Sequence, residues 1–492
     1  MAEAIASGGA AMHSRAAVVT RARPLGLAGT VLVVAGAAVW TVAICALAIS
    51  RHEGFRSHRF DLGNMVQAVW STTQGRPLDM TDGTSGDQIN RLAAHVDPIL
   101  VLFTPFWWIH PAPETLMVVY VAALAAGVYP VVRLALKHTG SHLAAALLGV
   151  WYLTLPWVIW IGLNEVNPMS LALPLLLFAI WALDEDRLGR FAVFAVLAVL
   201  CGELIGITVA ALGLWYALGR RQVRAGIAIA AAGVAWTVTC LLVVIPAFND
   251  RESSRYFNRF ETVGGTPLGL LETLVTDPGA VVAQLTSSGD LEYLALLAIP
   301  TALLFLAQPW LLVAALPQLG TNMVSDYPST VSPLYHYSAP VLAVLVAACA
   351  IGVGRLPVRL RLPAAGTMLG LGVLALLVSW PTPGAEAYLA PERETAARVA
   401  ALDDAVALVP ASVPVTVTNR VGAHLSARRV VHLFPAREDA EWAVLDTRDP
   451  SNATASWIGP VPFATQLARL DRDPSWRLVF EREGVRVYRE VS

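Results

Sequence analysis

Ionisable residues interrupt the long apolar runs of this chain at a few defined places. Asp61 lies in Phe60-Asp61-Leu62-Gly63, shortly after the first apolar run. Arg91 and His95 follow in the same polar segment. Ionisable groups at a membrane are costly and indicate a function by default. A carboxylate held there could take a proton from an acceptor hydroxyl, so Asp61 is the candidate general base.

Three more candidates lie further along the chain. Glu165 lies in the turn Asn164-Glu165-Val166-Asn167-Pro168, and His336 lies between two tyrosines, which are typical of membrane interfaces. Glu203 lies in an apolar stretch with no basic residue near it in sequence. Its carboxylate must therefore be protonated, paired with a cation or placed in a hydrated cavity.

Asp61 and His95 also have structural interpretations. Apolar residues recur at helical spacing over 62–70, which predicts an amphipathic helix along the membrane surface with Asp61 as its N-cap. Asp97 would cap the helix that opens at Pro98. His95 could bind a phosphate, a divalent ion or only a loop carbonyl. An N-cap tolerates asparagine and a general base does not, so Asp61→Asn separates the two roles of Asp61.

The composition is that of a membrane protein. The 492 residues are 56% hydrophobic and 14% charged, with a mean hydropathy of +0.59, whereas soluble domains carry about 25% charged residues. No basic stripe or binding motif supports a nucleic-acid partner. The four cysteines lie in apolar stretches without zinc-ligand spacing, and the polar segments offer no pair for a disulfide.

Apolar runs predict a mainly α polytopic membrane protein with about eleven transmembrane helices. The run 191–218 is too long for one helix and too short for two full spans, so it predicts a hairpin of short helices with Glu203 near its tip. The other predicted spans are 25–49, 115–136, 143–163, 168–183, 225–246, 293–306, 310–319, 339–353 and 364–380.

The positive-inside rule predicts the orientation in the cell membrane. Arginine and lysine cluster on one side of the predicted spans, which makes residues 1–24 a cytoplasmic tail, 25–380 the transmembrane domain and 381–492 an extracytoplasmic domain. The loop 51–114 is then extracytoplasmic too. All the candidates above fall on the outer face, which predicts one outward-facing polar cavity under the C-terminal domain.

Residues 381–492 read as a small α/β domain. An amphipathic helix is predicted over 391–409, buried strands over 413–418, 430–434 and 442–446, and a hairpin over 476–488 that turns at Glu483-Gly484.

The order of these motifs resembles one family over nearly the whole chain. Phe60-Asp61-Leu62-Gly63, His95-x-x-Pro98, the Glu203 hairpin, His336-Tyr337 and the segment from His424 to Arg428 are similar to domain of unknown function 2079, a family of prokaryotic multi-span membrane proteins. That family is similar to the GT-C glycosyltransferases, which use a polyprenyl-phosphate sugar donor and an acidic residue in the first extracytoplasmic loop. The chain departs from the pattern around Glu203, where Gly202 and Leu204 stand in place of a basic residue and an aspartate, and at Asn167, where relatives often have histidine.

The resemblance implies inverting sugar transfer to an extracytoplasmic acceptor. Asp61 would deprotonate the acceptor hydroxyl, and His95 with Arg91 or His336 would offset charge on the lipid phosphate. Glu165 and Glu203 would complete the substrate-binding set. Magnesium or manganese is an optional cofactor, with Asp61, Glu165 and Glu203 as candidate ligands.

Two other classes of function stay open. A transporter or lipid-handling protein would account for the broken helix pair at Glu203, although no inverted repeat is visible. A sensing protein would use its outer domain to bind a partner. His424 and Arg428 are expected to stabilise that domain rather than reach the cavity.

Overall fold

The computed structural model describes residues 25–83, 85–249, 255–265, 267–379, 395–448 and 462–491. The predicted cytoplasmic tail 1–24 lies outside these residues. The chain folds into a large bundle of apolar helices followed by a smaller α/β unit, here called the C-terminal domain (the described residues from 395 onward).

Helices of membrane-spanning length form the bundle. Among the described residues, five are long and apolar enough to cross a membrane: Leu27–Glu53, Pro113–Thr139, Val223–Phe248, His336–Arg355 and Val358–Val378. The pair His142–Thr154 and Pro156–Leu163 would make a sixth, bent by 43° where Pro156 removes a backbone donor. Shorter apolar helices cover Pro98–Ile109, Pro168–Asp184, Leu188–Val199 and Ile205–Leu218.

Two predicted spans are not continuous helices. Instead of a helix over 293–306, Ser288–Ala298 is followed by short 3-10 turns at Ile299–Thr301 and Leu304–Ala307. Ala302 and Leu303 between these turns have left-handed backbone angles, with φ of 49° and 57°. The predicted span 310–319 is divided into Pro309–Leu312 and Leu316–Met323. Hydropathy does not detect such breaks: the prolines and the left-handed pair interrupt the helical hydrogen bonds of these apolar runs.

Shorter elements connect the spans. They are Arg59–Gly63, Asn64–Thr73, Arg91–Ala93, Arg255–Val263, Pro267–Thr276, Pro278–Leu285, Pro328–Val331 and the hairpin of β1 (Asp79–Thr81) and β2 (Gln88–Asn90). The two strands pair antiparallel.

The predicted hairpin around Glu203 is present. Leu188–Val199 and Ile205–Leu218 are its arms, and Glu203 lies buried in the turn between them. The second arm packs closely on Val223–Thr239: a Cβ at Gly206 would lie 2.5 Å from the Gly233 carbonyl oxygen. Small residues permit such backbone contact between membrane helices.

The C-terminal domain has a five-stranded sheet with order β4-β3-β5-β7-β6. The strands are β3 (Val415–Val417), β4 (Val431–Leu433), β5 (Trp442–Asp446), β6 (Trp476–Arg482) and β7 (Val485–Glu490). β3 runs parallel to β4 and β5, and β7 runs antiparallel to β5 and β6. The helices are Ala396–Ala407, Asn419–Gly422 and Phe463–Arg472. Phe55, from just after the first long helix, is 2% exposed and joins the core of this domain.

The helix Asn64–Thr73 packs its apolar face on protein, whereas the sequence analysis expected that face to lie along the membrane surface. Its apolar residues, including Met65 and Val66, belong to the core of the bundle. Its polar side carries Gln67, whose amide donates to the Arg429 carbonyl oxygen at 2.9 Å. The amphipathic pattern was correct, but the polar face meets the C-terminal domain instead of water.

Candidate functional site

Asp61 lies in a π-helical turn, Arg59–Gly63, here called the Asp61 turn. This turn comes directly before the helix Asn64–Thr73. The N-cap interpretation is wrong, because Gly63 occupies the cap position and no side chain caps that helix. The Asp61 turn continues directly into the helix, so the backbone N–H groups that an N-cap would satisfy find backbone acceptors. The Asp61 carboxylate accepts no hydrogen bond from the described residues and is exposed to a cavity.

The cavity has a volume of about 140 Å3. Its charged or imidazole-bearing lining residues are Asp61, Arg91, His95, Asp97, Glu203, Arg259 and His336. Five of the six candidate residues named from the sequence are therefore brought together, although they come from segments far apart in the chain. The sixth, Glu165, does not line this cavity.

Glu165 lies behind the Asp61 turn and holds its backbone. Its carboxylate accepts the Leu62 N–H at 2.8 Å and the His58 N–H at 2.9 Å, and it contacts the His58 imidazole. A residue expected to touch substrate therefore supports the turn. Burial lowers the pKa of His58, but the adjacent Glu165 carboxylate outweighs it, so the net shift is upward.

Glu203 finds its side-chain partner, His95, in the first loop. Its carboxylate lies 3.3 Å from His95 Nδ1 and accepts the Val96 N–H at 3.0 Å. The missing basic neighbour in sequence is replaced by a partner 108 residues away.

Arg91 and Asp97 form a buried ion pair in the cavity wall. Arg91 Nε donates to Asp97 Oδ1 at 2.7 Å, and Arg91 Nη2 donates to Oδ2 at 2.5 Å. Asp97 occupies the N-cap position of Pro98–Phe103, but its carboxylate makes no capping bond because it binds Arg91. Much of the Arg91 charge is thus already compensated.

Arg259 was missed by the sequence analysis. It lies over the rings of Tyr327 and Tyr337, at 4.9 and 5.6 Å, and donates to the Tyr337 hydroxyl at 2.9 Å. Tyr337 was assigned to the membrane interface, but it lines the cavity next to His336. The only available signal was an arginine in an aromatic stretch, Arg255-Tyr256-Phe257-Asn258-Arg259-Phe260, of a predicted outer loop.

The surroundings favour a proton acceptor at Asp61. Its pKa rises from 3.8 to about 7, first because protein surrounds the cavity and second because the Glu165 carboxylate is near. His58 and Arg91 act in the opposite direction. A general base works best when its pKa lies near the working pH.

One group of residues has the composition of a metal site. The ligand atoms of His58, Asp61 and Glu165 all lie within 4.8 Å of one another. An imidazole with two carboxylates suits manganese or zinc better than magnesium, which prefers oxygen ligands. Glu203, a candidate ligand in the sequence analysis, is not in this group and binds His95 instead. An ion here would have to replace the contact between His58 and Glu165.

Fold and site together define a polytopic membrane protein with a polar cavity at one end of its helices. Residues 51–475 match the family described as "Predicted membrane protein (DUF2079)", and the chain belongs to that family. No curated protein matches the chain.

A solved structure of ArnT from Cupriavidus metallidurans shares the fold. ArnT bound to undecaprenyl phosphate is 13% identical, with a TM-score of 0.52, covering 94% of this chain and 98% of ArnT. The apo state of ArnT has a TM-score of 0.49 at 13% identity, covering 93% and 98%. The first of these shows the GT-C fold of ArnT, as the sequence resemblance predicted.

Proposed function

We propose that this protein transfers a sugar from a polyprenyl-phosphate donor to an acceptor hydroxyl outside the cytoplasm. The observation that carries this proposal is the Asp61 carboxylate, which has no hydrogen-bond donor among the described residues and opens into a cavity lined by Arg91, His95, Arg259 and His336. The shared fold with ArnT, a protein whose structure holds undecaprenyl phosphate, supports a lipid phosphate as the ligand.

The proposed reaction inverts the sugar carbon. Asp61 takes the proton of the acceptor hydroxyl, and the hydroxyl oxygen forms a bond to the anomeric carbon. The bond from that carbon to the lipid-phosphate oxygen breaks, and the oxygen leaves with the electron pair. His95, Arg259 and His336 face the growing phosphate charge, and such stabilisation is usually the largest contribution to catalysis.

Each of the remaining lining residues has a part in the proposal. Arg91 stays paired with Asp97 when substrate binds. The Asp97 carboxylate compensates most of the Arg91 charge, so Arg91 attracts the phosphate less strongly than an unpaired arginine would. Glu203 sets the position of His95. Glu165 acts behind the site by holding the turn that carries Asp61. If a divalent ion binds, His58, Asp61 and Glu165 would hold it and it would supply a Lewis acid, in place of the general-base role of Asp61.

The orientation belongs to the proposal too. Residues 1–24 would lie in the cytoplasm, 25–380 in the membrane and 381–492 outside, so that the cavity receives the donor from the outer leaflet. The clusters of arginine and lysine support this orientation.

A second candidate function is lipid transport without chemistry. It is favoured by the break between Leu188–Val199 and Ile205–Leu218, because interrupted helices that meet at a charged residue also mark transport sites. Both functions need a bound lipid phosphate, and they differ in their need for the Asp61 carboxylate.

The test uses purified protein in lipid nanodiscs and a panel of polyprenyl-phosphate sugars. Wild type should bind one donor saturably, and His95→Ala should weaken that binding. Asp61→Asn should still bind the donor but abolish transfer to an acceptor. Asp87→Asn is the matched control, since Asp87 is an exposed aspartate of the same loop and does not line the cavity.

The outcomes separate the candidate functions. Transfer that survives in Asp61→Asn would reject Asp61 as the base. Transport would be favoured by three results together: donor binding that depends on His95, no sugar transfer by wild type, and movement of the lipid across the membrane of proteoliposomes that contain the protein. Absence of donor binding by folded wild type would overturn both.

A further inference from the structure

The C-terminal domain contacts the turn that carries Asp61 through one short segment, residues 419–426, here called the docking segment, and through strand β4. The docking segment consists of Asn419–Gly422 and the turn Ala423–Leu425, followed by Ser426. None of these residues lines the cavity. They lie against the opposite side of the Asp61 turn, where a domain could influence the site without touching substrate.

The contact between the two segments is close enough to require glycine on both sides. A Cβ at Gly63 would lie 2.5 Å from Ser426 Oγ, and a Cβ at Gly422 would lie 2.6 Å from the Cβ of Arg59. Separations this short do not occur between ordinary side chains. The two backbones therefore approach as closely as they can, and a shift of either one is transmitted to the other.

Arg59 ties the same turn to the sheet of the C-terminal domain. Its guanidinium is fully buried and donates to the carbonyl oxygens of Thr81 at 2.7 Å and Val431 at 3.2 Å, and to Gln67 at 3.0 Å. The buried charge is held there by these hydrogen bonds and by the nearby Asp82 carboxylate. This arginine therefore joins β1, β4 and the Asp61 turn.

A second contact anchors the domain to the end of the first long helix. His424 stacks on His52 with ring centres 4.0 Å apart and on Phe55 at 3.9 Å. Arg428, in contrast, donates to the carbonyl oxygens of Leu425 and Val413 and so stabilises the domain itself. Histidine stacking and the insertion of Phe55 limit rotation of the domain on the bundle.

Asp61 is bracketed by two hydrogen bonds to distant side chains. The Phe60 N–H, before Asp61, donates to Asn419 Oδ1 at 3.0 Å, and the Leu62 N–H, after it, donates to Glu165 at 2.8 Å. These partners lie 359 and 103 residues away in sequence. One comes from the C-terminal domain and the other from the bundle, so the direction of the carboxylate depends on both.

We propose that Asn419 is a positioning residue, through which the C-terminal domain aims the Asp61 carboxylate at the cavity. This inference rests on the proposed function for its catalytic meaning, but the geometry can be tested without it. The domain is then part of the working site and not only an attached module. Misplacement of a reacting group by about 1 Å can reduce a rate about 100-fold, so one such bond is sufficient to matter.

The first measurement is hydrogen exchange of the peptide that contains residues 58–63, read by mass spectrometry on protein in nanodiscs. Asn419→Leu removes the acceptor at similar size, and the Phe60 amide should lose its protection while the Leu62 amide keeps it. Asn419→Asp keeps an oxygen acceptor and should retain the protection. Glu438→Gln, an exposed change in the same domain, is the control.

The second measurement is donor transfer by the same variants. Asn419→Leu should lower kcat at least about tenfold with the donor KM unchanged, because the cavity is intact and only the base is displaced. Asn419→Asp should recover most of kcat. If Asn419→Leu does not fold, Asn419→Ala replaces it with the same expected results.

Two results would overturn the inference. Unchanged exchange at Phe60 in folded Asn419→Leu would show that the hydrogen bond does not hold the turn. Changed exchange with unchanged kcat in an enzyme shown to transfer sugar would show that the bond does not aim Asp61. If wild type transfers nothing, the proposed function fails, while the exchange result still decides whether Asn419 holds the turn.

Discussion

Replacing Asp61 by asparagine should stabilise the protein at pH 8 while it abolishes the proposed transfer. The folded protein holds the Asp61 pKa at about 7, against an ordinary value of 3.8. Between these pH values the folded chain binds a proton that the unfolded chain has released. Stability therefore falls as pH rises from about 4 to 7 and stays reduced above that. Asparagine has no such ionisation and avoids the loss.

The size of the effect follows from the position of the carboxylate. Each pKa unit corresponds to about 1.4 kcal/mol, so the full shift would lower the free energy of unfolding of wild type by about 4 kcal/mol at pH 8. The Asp61 side chain is exposed to the cavity, however, and solvent screens a charge there. We therefore expect Asp61→Asn to raise the free energy of unfolding by about 1 kcal/mol at pH 8. For a chain of this size, that gain raises Tm by about 1–2 °C.

The assay is thermal unfolding of wild type and Asp61→Asn in the same detergent at pH 5 and pH 8. The gain in Tm should be larger at pH 8 than at pH 5, and the exposed control Asp87→Asn should show no such dependence. A Tm difference that is equal at both pH values would refute the reasoning, as would a variant that is less stable at pH 8. If wild type and Asp61→Asn have the same Tm at each pH, the result would instead match a helix cap, because an N-cap tolerates asparagine. The geometry at Gly63 argues against that role.

Two further predictions concern contacts that only the folded chain creates. Gly63→Ala should lower the free energy of unfolding by about 1–3 kcal/mol, and with it Tm, because the added methyl meets Ser426 Oγ. The double variant Gly63→Ala/Ser426→Gly should recover most of this loss. Equal Tm values for the single and double variants would contradict the contact. His95→Ala should destabilise the protein more than His95→Ala/Glu203→Gln, because the single change leaves a buried carboxylate without its imidazole partner. Thermal unfolding with all three His95 and Glu203 combinations measures this, and simple additivity would reject the pair.

Some features of this protein follow from the sequence alone because they depend on local pattern. The length of apolar runs predicted most of the helices, and the charged residue in the middle of 191–218 predicted the hairpin that places Glu203 in a turn. Short apolar runs located β3, β4 and β5, and Glu483-Gly484 located the turn between β6 and β7. These signals are local, since hydropathy and turn chemistry are set by neighbours in the chain.

The candidate residues were also recognisable one by one, because an ionisable group beside lipid is costly wherever it folds. Asp61, Arg91, His95, Glu203 and His336 were found in this way, and all five line the cavity. What each one does was not recognisable. Asp61 was expected to cap a helix, to act as a general base or to do both, and Glu165 was expected to bind substrate.

Those roles were decided by the tertiary structure. Glu203 is paired with His95, Arg91 is neutralised by Asp97, and Glu165 and Asn419 hold the peptide groups on either side of Asp61. Apart from Arg91 and Asp97, the partners lie more than 100 residues apart, so no local pattern relates them. Sequence determines which groups are present and which faces are apolar, whereas packing determines which buried polar groups meet. A buried carboxylate must take whichever donor the fold brings to it.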